Sequence, residues 1–199
     1  WRYFDKIRVI QKKNNSYVEV VMTPSKLINS SKKHCKNSLK TAEISFENIV
    51  KKRPEYSKCD MSKPHLMGVI NLTTDSFYNK TQKQDYTSVQ KTLKKMENYG
   101  ASIIDIGGES TRPGSKIISI SEEQSRVIKI IKSLKQDNIK SFLSLDTRNF
   151  STMKMGYENG VDILNDITGF NNQDKIDFVS KNKIPIVVMH MQKEPKTMQ

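Results

Sequence analysis

Several things are missing from this chain. No run of about 20 apolar residues occurs anywhere in its 199 residues, so no segment reads as a membrane-spanning helix. Cys35 and Cys59 are the only cysteines. With no CxxC and no Cys/His metal spacing they read as unpaired thiols in a reducing compartment. The first residue is Trp1, and no charged segment leading into an apolar one follows it, so neither a start methionine nor a secretory leader is in view. The chain reads as a piece of a longer one. No GxGxxG opens a helix, which removes the dinucleotide fingerprint.

The composition that remains is globular, at 35% hydrophobic and 28% charged. A net charge of +13 raises nucleic acid as a partner, but the distribution weakens that idea. Residues 1–66 carry 15 Lys/Arg against 6 Asp/Glu, whereas residues 67–199 carry 19 against 15. The excess therefore sits outside the ordered pattern, and the interleaved aromatics that single-strand binding uses are sparse after Tyr17.

Ile7–Ile10 and Tyr17–Met22 flank Lys13-Asn14-Asn15-Ser16, which predicts a hairpin. Residues 23–63 are rich in Ser, Lys and Asn and read as linker, with a domain boundary near residue 62. From His65 the pattern changes to apolar runs alternating with helical periods. Strands are predicted at residues 66–71, 102–106, 142–146, 162–166 and 184–190. Helices are predicted between them, one opened by the capping signature Ser121-Glu122-Glu123-Gln124.

Five strands alternating with four helices predict parallel βα units. Each strand ends on a polar side chain: Asn71, Asp105, Asp146, Asn165 with Asp166, and His190. Parallel strands point their carboxyl ends one way, so these groups should converge on one face, and a TIM (β/α)8 barrel is the expected fold. Such a barrel takes roughly 250 residues, and residues 65–199 supply about five units. The barrel is expected to be truncated and its site incomplete.

Five ordered motifs then carry a resemblance: Met67–Phe77, Asp105–Gly114, Ser144–Thr147, Ile163–Ile167 and Met189–Gln192 with Pro195–Gln199. In order and spacing they resemble dihydropteroate synthase of folate biosynthesis, the sulfonamide target. The family is a TIM-barrel transferase. It joins 6-hydroxymethyl-7,8-dihydropterin diphosphate to p-aminobenzoate, with Mg²⁺, and releases pyrophosphate. The resemblance implies Asn71 as the Mg²⁺ ligand, Thr111, Asp146, Asn165 and Met189 as substrate-binding residues, and Arg112 and Asp75 as catalytic ones. Residues 72–80 and 109–116 would form loops that close over the site. It also implies a cytoplasmic enzyme, or a mitochondrial one in a eukaryote, often homodimeric and with no membrane or nucleic-acid partner.

Residues 1–62 would be the end of a preceding domain plus a basic linker, as in eukaryotic fusions to the pyrophosphokinase, and 63–199 the partial barrel. The first loop, Thr73–Thr81, departs from the family pattern: it lacks a proline and two glycines.

Plainer readings stand beside these. Asp146 also suits a helix cap, Asn165 a turn, Asp105 a buried hydrogen-bonding partner, Met189 core packing and His190 a satisfied rim position, while Asp166 reads as structural. A pterin-binding methyltransferase barrel and a basic nucleic-acid module in residues 1–63 remain alternative functions.

Overall fold

The computed structural model describes residues 4–34, 37–52, 55–57, 59–72, 82–109 and 117–190. The chain divides into two compact units, Trp1–Arg53 and Pro54–Gln199.

In the first unit β1 (Ile7–Lys13) and β2 (Ser16–Met22) pair antiparallel, with Lys13 opposite Ser16. The two-residue turn is the predicted hairpin. Asn14 adopts φ 56°, a conformation its short polar side chain tolerates. Two helices follow, α1 (Pro24–His34) and α2 (Asn37–Val50). This differs from the linker expected over residues 23–63. The apolar period there is weak, but Leu27 is fully buried and Ser31 donates to Glu43 across the two helices. Tertiary packing makes helices that local pattern alone did not announce.

The second unit is a βα series: β3 (Leu66–Asn71), α3 (Gln82–Asn98), β4 (Ala101–Gly107), α4 (Ile120–Gln136), β5 (Phe142–Asp146), α5 (Phe150–Glu158), β6 (Ile163–Asp166), α6 (Gln173–Lys181) and β7 (Ile186–Val188). All strands are parallel and their spatial order is their chain order. No switch point interrupts that order, as one would in a doubly wound sheet. The arrangement is that of an α/β barrel carried through five units.

Alternation along the strands sorts the side chains. Ile104, Ile106, Leu143, Leu145 and Leu164 pack with Val89, Leu93, Val127, Ile131 and Met153 of the helices. Each fully buried aliphatic chain there stabilises the fold by about 2 kcal/mol. On the opposite face Ile103 and Ile163 meet Cys59, with Phe142 and Val187 beside them.

Cys59 is therefore buried rather than sitting in the polar surroundings its neighbours in sequence suggested, and burial pushes its thiol pKa up. Cys35 lies outside the described residues. The cap of α4 is Ser119, which accepts from Glu122 N, two residues before the expected Ser121. No helix among the described residues is long and apolar enough to cross a membrane.

Candidate active site

Ladder register decides which strand-end residues share a rung. Asn71 pairs with Gly107, Gly107 with Asp146, and Asp146 with Asn165. Four consecutive strands thus place Asn71, Asp146 and Asn165 in one row on one face, separated only by a glycine. A Cβ on Gly107 would stand 3.1 Å from Asn71 Oδ1 and 3.6 Å from Asp146 Oδ2. The missing side chain is what lets the amide and the carboxylate face one another across β4.

Beneath this row, two residues earlier in β4, lies Asp105. It is 4% exposed, and its Oδ2 accepts a 3.0 Å hydrogen bond from Asn165 Nδ2. Asp105 Oδ1 and the Oγ of Ser144, its partner in the ladder, are buried with no hydrogen-bond partner among the described residues. Buried polar atoms are nearly always paired in folded proteins, so orphans clustered at the carboxyl end of a parallel sheet mark a place built for a polar ligand.

The electrostatics agree. Burial pushes the Asp105 carboxyl up, and the neighbouring Ser144 and Asn165 offset that only in part. Asp146 is pushed up to about 7, first by burial and then by the carboxylates of Asp105, Glu123, Asp166 and Glu109. At neutral pH Asp146 is therefore poised between donor and acceptor.

Met189 lies just past β7. Its backbone N–H donates to Asp166 O at 3.3 Å, and its side chain is 40% exposed. It is thus on the same rim and not in the core. His190 is exposed. Asp75, Thr111 and Arg112 lie outside the described residues.

Asp166 is structural, as expected. It is fully buried and accepts from Thr168 N and Oγ1, Phe170 N and Lys175 Nζ, all between 2.8 and 3.1 Å. Four other rim residues had not been singled out in this setting. Glu123 accepts from Thr147, Asn149 and Thr152, tying α4 to the start of α5. Glu109 takes a two-pronged contact from Arg148, both bonds at 2.9 Å. The guanidinium of Arg126, on α4, reaches the carbonyl oxygens of Gly108 at 2.9 Å and Leu72 at 3.5 Å. Apart from Glu122, which pairs with Arg126 from one turn earlier, these partners lie 18 to 54 residues away, and nothing in a local pattern signals such pairing.

Asn71 offers an amide oxygen, a donor suited to a hard cation. Among the described residues no group of three His, Cys, Asp or Glu forms a metal site.

A family model described as pterin binding enzyme matches residues 67–199. The chain is 37% identical over 140 residues to dihydropteroate synthase of Escherichia coli K12, an alignment covering 70% of this chain and 49% of that protein. It is 38% identical over 133 residues to the folic acid synthesis protein fol1 of Schizosaccharomyces pombe, covering 66% of this chain and 18% of that protein. The Yersinia pestis dihydropteroate synthase, solved as a sulfonamide drug complex, superposes with a TM-score of 0.61 at 35% identity, covering 71% of this chain and 51% of that one. The chain spans about half the length of the dihydropteroate synthases it matches.

Proposed function

The chain belongs to the pterin binding enzyme family, and from that premise we propose that the protein is a dihydropteroate synthase. Its amine substrate, p-aminobenzoate, attacks the methylene carbon of 6-hydroxymethyl-7,8-dihydropterin diphosphate. The C–N bond forms, the C–O bond to the diphosphate breaks, pyrophosphate leaves, and the amine gives up a proton. No enzyme nucleophile is needed. What supports this reading most is the single row of Asn71, Asp146 and Asn165 across β3, β5 and β6.

In this scheme Asp146 and Asn165 grip the pterin, whose edge carries donors and acceptors side by side, and Met189 packs against the ring. Asn71 would hold Mg²⁺, which when bound supplies charge to the leaving pyrophosphate. The family pattern puts Thr111 on the diphosphate, Arg112 where charge develops as the C–O bond breaks, and Asp75 in the first loop as a catalytic residue. Residues 1–53 belong to a preceding domain, and 54–199, with Cys59 packed on the strands rather than in the linker expected up to residue 62, to the pterin barrel. A pterin substrate and p-aminobenzoate are the partners, in the cytoplasm or in a mitochondrion.

The test is to supply the protein at its full natural length with the dihydropterin diphosphate and labelled p-aminobenzoate. Labelled 7,8-dihydropteroate should accumulate together with pyrophosphate. A protein that binds pterin and makes no dihydropteroate would overturn the assignment in favour of a pterin-binding methyltransferase.

A further inference from the structure

We propose that Asp105 is a positioning residue: it fixes the amide of Asn165 so that its oxygen, and not its nitrogen, faces the ligand. The proposal rests on the pterin reading above. Asn165 Nδ2 donates to Asp105 Oδ2 at 3.0 Å, so the carboxyl takes up the donor end of the amide. That bond passes over β5, since β4 and β6 are not neighbours in the sheet. It leaves Asn165 Oδ1 directed away from Asp105, in the same row as Asp146. The site therefore offers an acceptor at Asn165, and the ligand edge that meets it has to bring a donor.

Asp105 does this without being a contact itself. At 4% exposed it lies below the row, while Asp146 and Asn165 above it are only half-buried. Nor does it behave like a carboxylate kept for stability. Asp166, equally buried, accepts four hydrogen bonds, one of them from a lysine. Asp105 accepts one hydrogen bond, from Asn165, and its Oδ1 has no partner among the described residues. A buried carboxyl so sparsely paired works against folding, which is the pattern of a residue retained for its effect on a site.

The experiment compares D105N and the exchange variant D105N/N165D with the wild type at full natural length, titrating 6-hydroxymethylpterin calorimetrically and following thermal unfolding. D105N can meet either end of the Asn165 amide, so the enforced orientation is lost. Pterin affinity should fall about tenfold while the unfolding temperature holds or rises. The exchange variant rebuilds the amide–carboxylate bond in reverse and again turns acceptor oxygens outward, so most of the affinity should return.

An affinity within twofold of wild type in D105N overturns the proposal. So does an exchange variant no better than D105N, and so does a loss of affinity that merely tracks a loss of stability. Absence of dihydropteroate formation with pterin binding intact sinks the synthase assignment and leaves this comparison standing. A wild type that takes up no pterin sinks both.

Discussion

At the amino ends of the strands, Glu97 accepts from Lys140 N, Ser141 N and Ser141 Oγ, and Asp162 takes Lys135 and Leu143 N. His65 donates through Nε2 to the Asp60 carbonyl, and its Nδ1 lies 2.9 Å from the Ser102 hydroxyl. At the carboxyl ends, Asp105 and Ser144 carry unpaired buried oxygens, and Asp146 is pushed up to about 7. The same chemical groups serve one end as fasteners and stand uncommitted at the other. That asymmetry locates a site in a parallel α/β fold, because stability is built at one end and ligands are met at the other.

Asp166 is the instructive exception, a carboxyl-end residue wired like the opposite end. K175M would leave it buried without its counter-charge and should cost about 3–5 kcal/mol in urea unfolding; a loss under 1 kcal/mol would erase the distinction between it and Asp105. E97A removes three hydrogen bonds at the amino end and should cost about 2 kcal/mol. Pterin affinity, measured by calorimetry, should stay unchanged, and a shift there would break the division of labour between the two ends.

D146N tests the other end. The folded carboxyl sits near 7 against an ordinary 3.8, so the folded state holds its proton more tightly than the unfolded one. The stability contributed by that proton is complete below the ordinary value and is lost as pH rises through about 7. With chelator present, D146N should thus be about 1–2 kcal/mol more stable than wild type at pH 8.5, converge with it near pH 4, and bind pterin more weakly. A wild type whose stability is flat over that range sinks the claim. The smallest effect on folding is expected from G107A, under about 1 kcal/mol. Its added Cβ would crowd Asn71 Oδ1 and Asp146 Oδ2, so pterin affinity should fall severalfold.

The barrel units were legible because strand ends such as Ile103–Gly107 combine β-branched runs with a break at glycine. Parallel direction follows from alternation with helices, and that alone predicts Asn71, Asp146 and Asn165 on one face. Helices α1 and α2 were not legible, since their buried positions are too few to make a period. The cap of α4 was misplaced because Ser119 and Ser121 each stand three residues before a Glu or Gln. Arg126 and Lys175 look in sequence like solvated helix faces. Only the fold reveals that each long side chain reaches back to a loop or a buried acid.

Arg126 has a practical corollary. The carbonyls of Leu72 and Gly108 follow directly on the ends of β3 and β4, and one guanidinium borrowed from a helix holds both. A displacement of α4 is therefore felt at two neighbouring strand ends at once.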